Sequence, residues 1–187
     1  MWIYETMREK ELIEKCKQGE KTAFEKLYKT YAPHMKGICL RYVADEMLAE
    51  DVLHDGFIKV IGSIRSFQYR GEGSLKAWLS RIFYNESIAA IKKNQLLAES
   101  SVDYTEVADE IEDVFSLDTI PENILMGFIT TLGVSYRTVF NLFVFEDLSH
   151  KEIGIKLGIT EEASRARLSR AKSILVEKVK TYLATNG

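Results

Sequence analysis

Ala49, Val52, Leu53, Gly56, Phe57, Val60, Ile61 and Ile64 recur at the i, i+3, i+4, i+7 spacing of a helix that buries one side. Glu50, Asp51, His54, Asp55 and Lys59 fill the positions between them, so the pattern predicts an amphipathic helix with a strongly polar outer face. Two weaker patterns precede it. Phe24, Leu27, Tyr28 and Tyr31 mark one helix, expected to end near Pro33, and Met35, Ile38, Cys39 and Tyr42 mark the next. Beyond the strong helix, residues 67–74 (FQYRGEGS) read as a loop from their glycines. A long helix from about Leu75 to Lys93 follows. Leu75, Trp78, Leu79 and Ile82 would face its core, with Lys76, Arg81, Asn85, Lys92 and Lys93 on the polar side.

The second half of the chain carries a different pattern. His150 to Leu157 is a helix-compatible span with Ile153, Ile155 and Leu157 as its apolar positions. Gly158 follows, where a residue free to take positive φ lets one helix end and the chain turn. Thr160 stands where an N-cap belongs, with Glu161 and Glu162 in the first turn beyond it. Ser164, Leu168, Ala171 and Leu175 then make a narrow inward stripe. Glu162, Arg165, Ala166 and Ser169 are left on the outward face, flanked by Arg167 and Arg170. A short helix, a tight turn and a second helix so decorated have the geometry that enters a DNA major groove. Helical hairpins with a glycine turn are also common in all-α proteins, and surface arginine is often only solvated. Three arginines and small outward residues favour DNA; the two glutamates oppose it, since carboxylates near phosphates cost affinity.

Composition narrows the class. Two prolines in 187 residues and 46% hydrophobic content at helical spacing predict an all-α protein, large enough for one domain or two small ones. Charge chooses two. Residues 98–126 hold nine carboxylates and no Lys or Arg, while each flank carries a net +3, which the total of −3 conceals. The expected organisation is a helical domain over 1–97, an acidic linker over 98–121 closed by Pro121, and a helix-turn-helix domain over 122–187. Two cysteines, Cys16 and Cys39, make no disulfide framework. No h-region opens the sequence, and no apolar run approaches the ~18–20 residues of a membrane span. A soluble cytoplasmic protein with no membrane insertion is expected.

Enzymatic chemistry finds little footing. His34, His54 and His150 lie on separate expected helices without the spacing of a metal site, and Gly71-Glu72-Gly73 lacks the remainder of any phosphate-cradling fingerprint. The expectation is no enzyme, no metal and no cofactor. The residues alone leave open a helix-turn-helix transcription regulator whose first domain takes a partner or ligand, and an interaction module with a vestigial helix-turn-helix.

Three runs in order carry a resemblance: AEDVLHDGFIKVIGSI, then SFQYRGEGSLKAWLSRIFYNESIAAIKK, then YRTVFNLFVFEDLSHKEIGIKLGITEEASRARLSRAKSIL. Over about residues 20–93 and 122–180 the chain resembles bacterial RNA polymerase sigma factors, and within them the compact extracytoplasmic-function class that keeps only regions 2 and 4. It departs at Leu132-Gly133, where the family usually has Leu-Pro, and at His54, where it often has Gln. The resemblance implies core RNA polymerase and promoter DNA as partners, and an anti-sigma factor as a further one. It implies polymerase docking through Glu50, Asp51, His54 and Asp55. It implies opening of the start-proximal (−10) element by Tyr69, Arg70, Arg81 and Asn85, the loop 67–74 holding an extruded base, with Trp78 kept as core. Glu162, Arg165, Ala166, Arg167, Ser169, Arg170 and Lys172 would read the upstream (−35) element. The acidic linker would follow a polymerase path built for nucleic acid, its carboxylates standing in for phosphates.

Overall fold

A computed structural model describes residues 9–94 and 120–186, and it is helical, with no strand among the described residues. The chain divides into two compact units, 1–90 and 91–187. The acidic linker expected over 98–121 lies outside the described residues except for Ile120 and Pro121.

The first unit contains α1 (Glu9–Lys17), α2 (Lys21–Val43), α3 (Glu46–Ser63), a 3-10 turn (Ile64–Ser66) and α4, which starts at Ser74 and runs to Lys93. Its core joins Leu12, Ile13 and Cys16 of α1 to Leu27, Met35, Ile38, Cys39 and Tyr42 of α2. Val52, Phe57 and Val60 of α3 and Leu75, Leu79 and Phe83 of α4 complete it. Each such side chain contributes roughly 1.5–3 kcal/mol on burial. Phe57 and Phe83 meet edge to face at 5.0 Å, and Tyr42 stacks on Tyr84 at 6.4 Å.

α2 corrects the two-helix expectation around Pro33. It runs unbroken through Pro33, although a helix-interior proline forfeits one backbone bond and crowds the preceding turn, at a cost of about 3 kcal/mol. Leu27 before it and Met35, Ile38 and Cys39 after it are buried in one core, and Pro33 itself is exposed. Packing on both sides outweighs the local defect. Tyr28, assigned to the apolar face, is half exposed, with its ring 4.7 Å from Phe57. The turn into α3 is set by Ala44 in the left-handed region (φ 52) and by Asp45, whose Oδ1 accepts from the Leu48 N–H at 2.7 Å.

The second unit holds α5 (Glu122–Thr130), α6 (Val134–Val144), α7 (His150–Leu157) and α8 (Glu161–Asn186); α5, α6 and α8 pack around Ile129, Leu132, Ala171 and Leu175, and α7 packs on α8 and α6. Ile155 departs from expectation: it is 78% exposed, because a residue two positions from both Ile153 and Leu157 falls on the opposite side of a helix. The Leu132-Gly133 corner is held by Arg137, buried on α6, whose guanidinium donates to the carbonyls of Thr130 (3.1 Å) and Leu132 (2.6 Å). The Thr130 carbonyl is an orphan acceptor at the end of α5 and the Leu132 carbonyl lies just past its cap, and a cation there suits the helix dipole.

Candidate nucleic-acid and polymerase interfaces

The helix-turn-helix is built by local chemistry. Ser149 opens α7 with a capping box: its Oγ accepts from the Glu152 N–H at 3.3 Å, and Glu152 accepts from the Ser149 N–H at 2.9 Å. The Ser149 Oγ also donates to the Glu152 carboxylate (2.6 Å), and that bond first, then the one from the Ser149 N–H, holds the carboxyl below its usual range. α7 ends at Gly158 (φ 75), and the Gly154 carbonyl accepts from both Gly158 (2.8 Å) and Ile159 (3.0 Å). A Cβ on Gly154 would stand 2.8 Å from the Ile159 carbonyl oxygen, so the close turn excludes any side chain there. Thr160 caps α8, its Oγ1 accepting from the Ala163 N–H at 3.1 Å. One contact escaped the sequence pattern: His150 Nδ1 lies 2.9 Å from the Oγ of fully buried Ser164, and its ring stacks on Phe143 at 4.7 Å. It ties the start of α7 to α8.

On α8 the expected inward residues Ser164, Leu168, Ala171 and Leu175 are all buried. Glu162, Arg165, Ala166, Arg170 and Lys172 are exposed, and Ser169 and Arg167 are half-buried. Arg165 forms an ion pair with Glu161 one turn earlier. Arg167 is less available than its neighbours, since its Nε is sealed from water with no hydrogen-bond partner among the described residues. The Glu162 carboxyl is held below its ordinary value by its own backbone N–H, then by Thr160 and Arg165. It is an ionised acceptor at neutral pH.

α3 presents Glu50, Asp51, His54 and Asp55 to solvent, but they are not equivalent. Lys36 of α2 reaches across to Glu46 and to Glu50, the latter at 3.0 Å. Asp51 and Asp55 make no ion pair among the described residues. Residues 47, 51, 54, 58 and 61 follow one helical stripe on this outer face, so Met47 (80% exposed), Ile58 (55%) and Ile61 (54%) lie with Asp51 and His54. Ile61 had been assigned to the buried series. The core stripe is complete with Phe57, Val60 and Ile64, which leaves Ile61 on its outer margin. The outer face of α3 is therefore mixed, acidic in its middle and apolar at both ends.

One internal hydroxyl bridges part of the loop before α4. Gly71 (φ 118) and Gly73 (φ 83) take conformations that favour glycine. Ser74 Oγ donates to the Gly71 carbonyl (2.6 Å) and accepts from the Arg70 N–H (3.2 Å). Phe67 is buried, Tyr69 half-buried and Arg70 exposed. Trp78, expected in the core, is only half-buried, with its ring 4.9 Å from Phe67. Arg81 and Asn85 adjoin on α4, the Asn85 amide donating to the Arg81 carbonyl at 2.7 Å. The structure does not join them to the loop: Asn85 stands eleven residues beyond Ser74, about 16 Å along the helix. The element that reasoning from sequence missed is Glu9. Its carboxylate accepts from the N–H groups of Gly73 (3.2 Å) and Leu75 (3.3 Å), partners 64 and 66 residues away that no local pattern could reveal.

One unit with a two-toned outer helix face and a structured glycine loop, and a second with a capped helix-turn-helix, make an all-α protein of the helix-turn-helix class. The family described as Sigma-70 region 2 matches residues 27–96, and Sigma-70, region 4 matches residues 123–175. An ECF RNA polymerase sigma-E factor of Haemophilus influenzae is 29% identical over 96% of this chain and 99% of its own length. An RNA polymerase sigma-H factor of Pseudomonas aeruginosa is 28% identical over 94% and 96%, and the ECF sigma factor SigW of Bacillus subtilis 26% over 91% and 96%. Among solved structures, CnrH in complex with the cytosolic domain of CnrY has a TM-score of 0.49 at 18% identity, covering 91% of this chain and 96% of that one. The sigma factor RpoE in complex with the anti-sigma factor NepR from Bartonella quintana scores 0.47 at 23%, covering 84% and 96%. The chain belongs to the sigma-70 family, as an extracytoplasmic-function RNA polymerase sigma factor. It directs promoter-specific transcription with RNA polymerase.

Proposed function

We propose that residues 1–97 dock on core RNA polymerase and open the start-proximal promoter element, that residues 122–187 read the upstream element, and that 98–121 link the two. The observation that carries this reading is the sorting of exposed groups: the α3 stripe and the glycine loop fall within the region 2 match, and the α8 outward face within the region 4 match. On α3, Asp51, His54 and Asp55, with Glu50 shared with Lys36, meet a basic partner surface while Met47, Ile58 and Ile61 supply apolar anchors. In the loop, Tyr69 and Arg70 enclose an extruded base, and Arg81 and Asn85, further along α4, take a neighbouring nucleotide or the backbone. On α8, Glu162, Arg165, Ala166 and Ser169 face base edges, with Arg167, Arg170 and Lys172 toward phosphates.

The protein acts as an initiation factor without a reaction of its own, in the cytoplasm. No helix among the described residues is long and apolar enough to cross a membrane. Its partners are core polymerase, promoter DNA and an anti-sigma factor. The test is runoff transcription from genomic fragments with core polymerase, with and without the protein. Discrete new start sites only when both are present support the reading. DNA binding that neither needs core polymerase nor yields new starts would instead make it a conventional helix-turn-helix regulator.

A further inference from the structure

We propose that Glu9, at the start of α1, is a positioning residue for promoter opening: it fixes from outside the loop that encloses the extruded base. This rests on the reading of residues 67–74 as the base-enclosing loop. The first turn of any helix leaves backbone N–H donors without partners, and a side chain at the cap position normally accepts from one of them. Here that position cannot help itself. Gly73 has no side chain, and the Ser74 hydroxyl is turned back to Gly71 and Arg70 inside the loop. The acceptor comes from another helix. Glu9 Oε2 takes the Gly73 N–H at 3.2 Å and Oε1 takes the Leu75 N–H at 3.3 Å, so one carboxylate spans the loop-helix junction. A negative charge there also complements the positive end of α4. The Tyr31 hydroxyl of α2 hydrogen-bonds the same carboxylate, which helps to orient it.

The geometry gives this contact more than a stabilising role. Gly71 and Gly73 both sit at positive φ, and glycine has the widest backbone freedom of any residue, so an unanchored loop would spread over many conformations. Base capture needs one of them, and apparent affinity for the flipped base scales with the fraction of loops already in it. Glu9 raises that fraction without touching DNA. α1 packs on α2 and on the 3-10 turn that leads into the loop, so the carboxylate is delivered by a rigid element.

The test uses the full chain with core polymerase and compares Glu9→Ala and Glu9→Gln with Tyr69→Ala and Arg70→Ala. In Glu9→Ala the amides of Gly73 and Leu75 should exchange faster while those of Cys39 and Tyr42 in the α2 core do not change. Open complexes, read by permanganate, should fall roughly 3- to 10-fold, with core binding and closed-complex binding retained. In a selection from randomised start-proximal elements, base preference should relax at the same position that the two loop variants relax. Glu9→Gln should recover part of each loss, since its amide oxygen still accepts one N–H. Wild-type exchange at the loop, or equal losses in core binding and opening, would overturn the proposal and leave Glu9 a fold residue only. If the loop variants act and Glu9→Ala does not, the proposal alone falls. If the loop variants leave opening and base preference unchanged, the base-enclosing reading falls and takes the proposal with it.

Discussion

Asp51 and Asp55 differ from Glu50 in what already holds them. Lys36 neutralises part of the Glu50 charge, so a partner gains less from Glu50 than from the two aspartates. Asp51→Arg with Asp55→Arg should weaken core binding at least tenfold, since like charges meeting across an interface cost several kcal/mol. Circular dichroism and thermal melting should be unchanged, because both residues are exposed. Glu50→Gln should cost only a few-fold in the same pull-down. His150 yields a prediction in pH. Burial first, then the charge of Arg165, holds its imidazole below the ordinary 6.5, against an opposing pull from Glu161. The unfolded chain therefore binds the proton more readily. The stability His150 contributes is complete above about pH 6.5 and is lost as pH falls through the lower folded value. Protection of the α7 and α8 amides, taken relative to intrinsic exchange at each pH, should fall as pH drops below about 6.5, and His150→Gln should remove most of that dependence. His34, shifted downward by its own burial and by Lys76 and Arg41, adds the same sign in the first unit, so a whole-chain melt would mix the two. What could be read from sequence at this scale was the exposure of Glu50, Asp51, His54 and Asp55 on α3 and of Glu162, Arg165, Ala166, Arg170 and Lys172 on α8. What could not was any pairing across long separations, such as Glu9 with Gly73, Lys36 with Glu46 and Glu50, or His150 with Ser164.

Among elements, the strongest periodicities survived and the weakest misled for physical reasons. The α3 series placed Ala49 to Val60 correctly because seven positions vote for one face. Its last member but one failed because a stripe edge is ambiguous by one residue. Pro33 was read as a terminator on local grounds, and tertiary burial of Met35 and Cys39 overrode it. The helix-turn-helix was legible because its punctuation is local: a left-handed glycine at Gly158 and a cap at Thr160 two residues later; the Ser149 capping box that opens α7 is added by the structure. Gly154 tests that geometry. Gly154→Ala brings a methyl group to 2.8 Å from the Ile159 oxygen, and that oxygen belongs to the backbone of the turn, which has little room to yield. The substitution should destabilise the second unit by about 1–3 kcal/mol and reduce upstream-element binding. Denaturant unfolding of the isolated variant and a promoter titration read the two effects separately. Gly158→Ala strains the backbone without a clash, since nothing lies within 4 Å of its added Cβ, and should cost less.

For the whole molecule, a net charge of −3 is unusual in a protein that meets DNA, and the answer lies in segregation: both flanks of the acidic stretch carry +3. With few basic groups in excess per unit, neither should bind promoter DNA tightly alone, and attachment to polymerase should supply the effective concentration. Two substitutions on α8 should then part company. Arg165→Ala should cost roughly 1–3 kcal/mol on the best promoter and relax preference at one upstream position. Lys172→Ala should weaken all promoters alike and lower the slope of log affinity against log salt by about one. Selection from randomised upstream elements, repeated at two salt concentrations, separates the pair. The same base preferences in wild type and Arg165→Ala would take Arg165 off the reading face and leave it as the partner of Glu161.

The two cysteines of the core carry a consequence of a different kind. Burial pushes the thiols of Cys16 and Cys39 up to about 11, the first with help from Glu20, so almost no thiolate exists at neutral pH. Neither is a redox sensor in the folded chain, and neither can be alkylated without local or global opening. Both belong to residues 1–90, and the rest of the sequence has no cysteine. A slow thiol reagent added to the holoenzyme therefore works as a clock for the first unit alone. Read on this chain, the labelling rate reports how often residues 1–90 loosen, with no contribution from residues 91–187.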